Sequence, residues 1–384
     1  MFEVAVENTF DFLSPDYATL FDASAATAFQ HPVWLHALYQ RLLSHNNASA
    51  LIVVVRHSTD KSLAMVLPLV RRRYGALSVV EFADLRVSDY ISPVASPGTF
   101  AAIAGDRAAR HQIVAALKPY DLLRLGKLKD DAMPLSQLFG VQQAAAMSMS
   151  SYATTLDGSY EEWRDKRLKP SYRKELDKKL RQLHRKGEVR FERSTDPAEI
   201  GATFDALKIF RRDRFELNGG GELLQIPAYF DFYMAVAQHP DFARTYTLLV
   251  DGAPIAGVLG LAHKGSLLVI LGGFIQTEFK NQSVGSLMFQ EVARDSIARG
   301  DKLLDFTIGD EPYKLTFGAV PKPMWQISRA GSPLGLAAGV MVDRLPAVKT
   351  LARNIFHRAA DKSTPERQST SAAVADEERI ERFS

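Results

Sequence analysis

Residues 302–319 read KLLDFTIGDEPYKLTFGA. The stretch begins as an apolar strand, Leu303 to Phe306, and ends on an aromatic–glycine pair, Phe317–Gly318. Between them stand Asp310, Glu311, Pro312, Tyr313 and Lys314. A chain that leaves a buried strand and at once presents titratable groups is placing chemistry where a rigid sheet displays it, on the loop at a strand end.

The residues upstream complete a unit. Strands at 254–263 and 266–274 close on LGGF, FKNQSVGSLMF enters a helix over about 284–299, and that helix feeds the strand at 302–307. In a strand–turn–helix–strand unit, the turn and the end of the second strand share one side of the sheet, where ligands bind. Gly285 follows Asn281, Gln282 and Ser283. A glycine there admits a ligand close to the backbone, and the free N–H groups of a helix start favour a phosphate. The same residues read equally as an ordinary helix cap. Tyr313 stands across from the turn, where a phenol can protonate a leaving group. Each residue also has a structural reading. Asp310 can cap the helix that holds Lys314, Gly318 can end it, Tyr313 can be a packing aromatic, and Asp305 can be a hydrogen-bond acceptor within its strand.

These motifs resemble those of the GNAT fold of acyl-CoA-dependent N-acyltransferases. Gln282-Ser283-Val284-Gly285-Ser286 is similar to the Q/R-x-x-G-x-G/A turn that holds the CoA pyrophosphate in that fold, with Leu287 in place of the final Gly or Ala. DFTIGDEPYKLTFGA resembles the D-F-x-x-G-D-x-x-Y-K-x-x-x-G-A signature of the CelD/BcsL-like acetyltransferases, a tandem-GNAT group related to FemAB transferases. Asp305, Phe306, Gly309, Asp310, Tyr313, Lys314, Gly318 and Ala319 match it. The resemblance implies an α/β protein of two tandem GNAT-like domains, with mixed central sheets flanked by helices. It implies acyl-CoA as cosubstrate, acetyl-CoA first, with no metal. Tyr313 is then the general acid, Asp310 or Glu311 takes the amine proton, and residues 282–286 bind the donor. Asp305, Lys314, Arg211 and Arg214 are placed with the substrate.

The first half repeats the order of elements without repeating residues. A helix is predicted over 29–43, strands over 51–55, 62–70 and 77–82, an extended loop over 89–98, a helix over 101–117 and a strand over 121–128. Residues 141–155 carry weak periodicity and many small polar residues, so the domain boundary is drawn there. The division is 1–148, a degenerate first domain; 149–330, the transferase domain; and 331–384, a C-terminal helix and, from about residue 361, a tail expected to be disordered.

Two basic stretches stand out. Residues 164–187 hold eleven Lys/Arg against three Asp/Glu, with Leu168, Tyr172, Leu176, Leu180 and Leu183 on one stripe. A solvated surface helix, an anionic membrane and tRNA are its readings. ALKIFRRDRFELNGGGE, 206–222, sets Lys208, Arg211, Arg212 and Arg214 before a glycine run, as a cover over the acceptor or as a plain connector.

Composition bounds the rest. At 384 residues the chain exceeds one ordinary core. A net charge of +3 gives no global case for DNA. The absence of cysteine removes disulfides, thiolate metal sites and cysteine nucleophiles. Acids at the N-terminus where a secretory signal carries Lys or Arg, and no long apolar run, predict a cytoplasmic protein. The leading expectation is an N-acyltransferase that acts on a small-molecule or glycan-precursor amine, with exopolysaccharide or cell-envelope metabolism as the setting implied by the resemblance. The alternatives are a FemAB-like transferase that uses aminoacyl-tRNA, and a non-catalytic GNAT scaffold in polysaccharide synthesis.

Overall fold

The apolar runs become strands covered on both faces. Along strand Ala48–His57, Ile52 and Val54 enter one core cluster while Leu51, Val53 and Val55 enter another. That two-sided burial is why the run is continuously apolar rather than alternating. The computed structural model describes residues 1–129, 133–218, 222–275, 277–279 and 281–344. Among these, Met1–Gly339 form one compact unit, and Val340–Ser384 a second, of which the end of helix Pro333–Arg344 is described.

Twelve strands make one mixed sheet. They are β1 (Phe2–Glu7), β2 (Ala48–His57), β3 (Leu63–Tyr74), β4 (Leu77–Phe82), β5 (Leu122–Lys129), β6 (Ala145–Thr155), β7 (Val189–Ser194), β8 (Ala243–Val250), β9 (Ala253–His263), β10 (Ser266–Phe274), β11 (Leu303–Ile308) and β12 (Val320–Ala330). Their spatial order, β1-β2-β3-β4-β5-β12-β6-β11-β10-β9-β8-β7, is symmetric about its middle. In each half four strands pair antiparallel and the fifth joins the fourth in parallel. The sixth strand of each half crosses over: β12 pairs with β5, and β6 with β11. The boundary drawn at 148/149 therefore falls inside a strand at the centre of the sheet.

Three strand segments exceed what the sequence predicts. β1 is an edge strand with half-exposed positions, so it lacks a buried stripe. β6 carries small polar residues because it lies between two strands in the central seam, and its weak alternation reads as a linker. β12, Val320–Ala330, carries prolines at 321 and 323, residues that do not mark a strand. The helix predicted over 101–117 is two helices, Pro97–Gly105 and Arg107–Ala116. Asp106 breaks them and caps the second, its Oδ1 accepting from the Ala108 N–H at 2.8 Å.

Seven helices begin on a proline: residues 15, 32, 97, 170, 197, 227 and 333. The fixed φ of proline suits the first helical position, where its missing N–H costs nothing. Helices Pro15–Ala23 and Pro32–Arg41 of the first half share one apolar cluster with Pro197–Asn218 and Pro227–Ala237 of the second. On the other face, Pro97–Gly105 and Arg107–Ala116 cover the first half. Tyr160–Arg167, Pro170–His184 and Val284–Ala298 cover the second. Among the described residues, no helix is long and apolar enough to cross a membrane.

Candidate active site

β10 and β11 run in parallel, and their registered pairs are Ser266–Leu303, Leu267–Leu304 and Leu268–Asp305. Beyond these the strands part. A β-bulge between Val269 and Leu271 shifts β10 against β9 at the same level. The gap opens toward the C-terminal ends of both strands, beside the start of helix Val284–Ala298. Ser283 sits there at φ +52° in the left-handed region and makes no side-chain cap. Its carbonyl accepts from Ser286 and Leu287, so the preceding N–H groups of the first turn are left to an outside acceptor. A helix start with no side chain on it fits a phosphate.

Of residues 282–286, Gln282, Ser283 and Ser286 are half-exposed, and Val284 and Gly285 are buried. A Cβ on Gly285 would stand 2.7 Å from the Phe274 ring, so the glycine is required by the end of β10 packing onto the helix. Leu287 is buried in the cluster under the sheet. Lys179 and Lys186, from the basic segment, donate to the carbonyls of Asn281 and Glu278. The basic segment thus lies along this turn.

The gap is lined by aromatic rings. Tyr313 stacks on Phe289 with centroids 5.2 Å apart and 2° between planes, and meets Phe306 edge-on at 6.0 Å. Gly272 leaves room for the Phe289 ring. Tyr313 is therefore a half-buried packing aromatic and also a phenol beside the gap.

The acids of the motif are engaged. Asp310 Oδ1 accepts from the Tyr152 phenol at 2.8 Å. It does not cap the helix, whose N-cap is Pro312. Glu311 pairs with Lys314 at 2.9 Å. Lys314, 2% exposed, also donates to the carbonyls of Ile308 and Gly309, each at 2.9 Å. A buried ammonium needs such partners, and these tie down the turn after β11. Asp305 accepts from the Tyr90 phenol at 2.6 Å, the Thr307 N–H at 2.8 Å and Lys129 at 3.3 Å. Tyr90 and Lys129 belong to the first half, so this carboxylate bridges the two halves. Burial and the Asp305 carboxylate push the Tyr90 phenol far up, and it stays a donor.

Arg211 lies on the other side of β10. It donates to the Gly272 carbonyl at 3.0 Å and to the buried Glu222 at 2.8 Å. The side chain of Arg214 and residues 219–221 of the glycine run lie outside the described residues, as does the tail from about 361. A cavity of about 360 Å³, lined by Ala28, Tyr90, Ser92, Lys129, Lys264 and Asp305 among others, opens between the halves. Sequence reasoning missed Tyr90 and Lys129. They lie in a loop and a strand far from the motif, and no local pattern marks them.

Residues 170–315 match the family model described as acetyltransferase (GNAT) domain. No curated protein matches the chain by sequence. Among solved structures, the chain is similar to FemX, at 10% identity and TM-score 0.58, covering 84% of this chain and 96% of that one. It is similar to L-PGS from Bacillus licheniformis, at 12% identity and TM-score 0.52, covering 91% and 100%. It is also similar to a tandem GNAT protein from the clavulanic acid biosynthesis pathway, at 12% identity and TM-score 0.50, covering 87% and 99%. At these identities the likeness establishes the fold: an α/β mixed sheet flanked by helices, shared with a tandem GNAT.

Proposed function

We propose that the chain is an N-acyltransferase that moves an acetyl or longer acyl group from acyl-CoA to an amine acceptor. The observation that carries this is the parting of β10 and β11 beside an uncapped helix start. The gap would take the thioester arm, and the turn 282–286 the pyrophosphate. The amine nitrogen attacks the thioester carbonyl carbon, the C–S bond breaks, the Tyr313 phenol gives its proton to the departing thiolate, and the proton shed by the nitrogen passes through water to restore the phenol. The acceptor is a small-molecule or glycan-precursor amine that enters between the halves, where a cavity of about 360 Å³ lies.

Calorimetric titration with acetyl-CoA tests the donor. Gly285→Val should abolish or strongly weaken binding, since the new side chain pushes Phe274 and closes the turn. Tyr313→Phe keeps the ring and should lower turnover by about 10²–10⁴ with little change in donor affinity. Absence of acetyl-CoA binding by the parent protein would sink the reading.

A second reading, an aminoacyl-tRNA donor, is favoured by one observation: Lys179 and Lys186 of the basic segment donate to the carbonyls of Asn281 and Glu278, just before the turn. Thermal melting with acetyl-CoA and with charged tRNA separates the two, because the ligand that binds the native state raises Tm.

A further inference from the structure

The basic segment carries charge that packing does not use. Helix Pro170–His184 buries Leu176 and Leu183 in the second half's core, with Tyr172 and Leu180 half-buried beside them. Three of the segment's arginines are held by acids: Arg164 pairs with Asp177, Arg173 with Asp165, and Arg167 with Asp157 at 2.9 Å. The exposed cations are a different set, Lys166, Lys169, Lys174, Lys178, Arg181 and Arg185. Among the described residues, none of these six has an acid partner. Lys174, Lys178, Arg181 and Arg185 follow at spacings of four, three and four. They therefore form one row on the helix, opposite the buried stripe. One exposed acid, Glu175, stands on the same helix.

The start of this segment meets the motif after β11. Tyr172 packs edge-on to Phe317, centroids 6.0 Å apart. Gly318 lies against Arg167: a Cβ there would stand 2.9 Å from the Arg167 Cβ. The turn that follows Tyr313 thus rests on the junction of helices Tyr160–Arg167 and Pro170–His184, between Lys166 and Lys169 in the chain. That turn holds apolar side chains in water. Leu315 is 56% exposed and Val320 58%. Pro321, Lys322 and Pro323 are exposed after them. Lys314, Phe317 and Ala319 are buried, so the turn is anchored while Leu315 and Val320 face outward.

Aliphatic side chains beside unpaired cations fit an anionic lipid surface, which takes the apolar groups below its headgroups and the cations among them. RNA calls instead for exposed aromatic rings or arginine planes that stack on its bases. Here Tyr172 and Phe317 pack on each other, and the arginines nearest the turn are held by acids.

We propose that this face, Leu315 and Val320 with the exposed cations from Lys166 to Arg185, docks the protein on an anionic membrane surface. The proposal stands apart from the donor reading, since it needs neither acetyl-CoA nor turnover.

The experiment sediments the full chain with phosphatidylcholine vesicles, with and without phosphatidylglycerol. The parent should bind the anionic vesicles alone, and more weakly as salt rises. Each of Lys169→Gln, Lys174→Gln and Lys178→Gln should lower partitioning about fivefold, and the losses should multiply when combined. Leu315→Ser with Val320→Ser keeps every charge. It should remove the part of the binding that high salt leaves in the parent. All five positions are exposed, so Tm should hold and a loss of binding is not a loss of fold. A parent that binds neither vesicle, that binds both equally, or whose binding is indifferent to either set of substitutions would overturn the proposal. So would transfer RNA that binds the parent through Lys174 and Lys178 while anionic vesicles do not.

Discussion

In the first half, β4 and β5 pair in parallel at Val79–Leu122 and Val80–Leu123 and then part. In the second half, β10 and β11 do the same after Leu268–Asp305. The two gaps differ in their charged residues. The first sets Glu81, Asp84, Arg124 and Lys127 beside Phe82, Ile91 and Met147 around a cavity of about 170 Å³. Arg72 pairs with Glu81 at 3.1 Å, and Lys127 with Asp84 at 2.8 Å. The second is walled by Phe289, Phe306 and Tyr313, with Gly272 and Gly273 on β10. The connection after the fourth strand differs as well. In the second half it is short and leads to the uncapped helix at Val284. In the first half it is loop 83–96, which leads to Pro97, a helix start that Ser96 already caps. One frame, used twice, thus gives one gap suited to an apolar arm and one stitched by charge. The stitched half also sends the Tyr90 phenol across to Asp305.

The contrast breaks first at the bridge between the halves. Asp305→Ala strands the Tyr90 phenol and Lys129 without their acceptor. Two buried donors, the Tyr90 phenol and the Thr307 N–H, lose their acceptor at about 1–3 kcal/mol each, so urea unfolding should show a fall of about 2–5 kcal/mol. A loss below about 1 kcal/mol would mean that the bridge is dispensable.

Lys127→Met in the first half should cost less, about 1–3 kcal/mol. The group left behind, Asp84, is 30% exposed and can turn to water, whereas Asp305→Ala leaves the fully buried Tyr90 phenol without an acceptor. If Lys127→Met proves the costlier change, the stitched gap and not the bridge holds the halves together.

The mildest expected effect is at the seam of the helical layers. His31 of the first half stacks on Phe242 of the second, centroids 3.8 Å apart. Its Nδ1 accepts from the Val33 N–H at the start of helix Pro32–Arg41. Burial, with His263 and His239 nearby, lowers its pKa from 6.5 to about 4. The folded state therefore binds this proton less readily than the unfolded chain. The stability linked to His31 is complete above pH 6.5 and declines as the pH falls toward about 4. Tm should drop over that window in the parent and drop less in His31→Asn, which keeps a capping side chain. Parallel Tm–pH curves for the two proteins would rule His31 out as the cause.

Much of the second half was legible in advance. The strand–turn–helix–strand unit around 266–308 is local, and its apolar spacing and glycine turn report it directly. The order of elements in both halves follows from the same signals. β6 was not legible, because a strand in the central seam is specified by its neighbours more than by its own alternation. The Asp310 cap was misplaced for a related reason. Its partner, Tyr152, lies 158 positions away, and a distant phenol competes with local capping in a way no window reveals.

By itself the sequence determined most of the strands and helices, β1 and β6 excepted, and where a helix start would meet two strand ends, because propensity and periodicity act over a few residues. Tertiary structure alone decided what each carboxylate faces. Asp305 meets Tyr90 across 215 positions, and Asp310 meets Tyr152 across 158. Those contacts depend on the exchange of β6 and β12 and on the shared helical core. Burial then fixes which acid is paired and which can take a proton, and burial belongs to the packed chain.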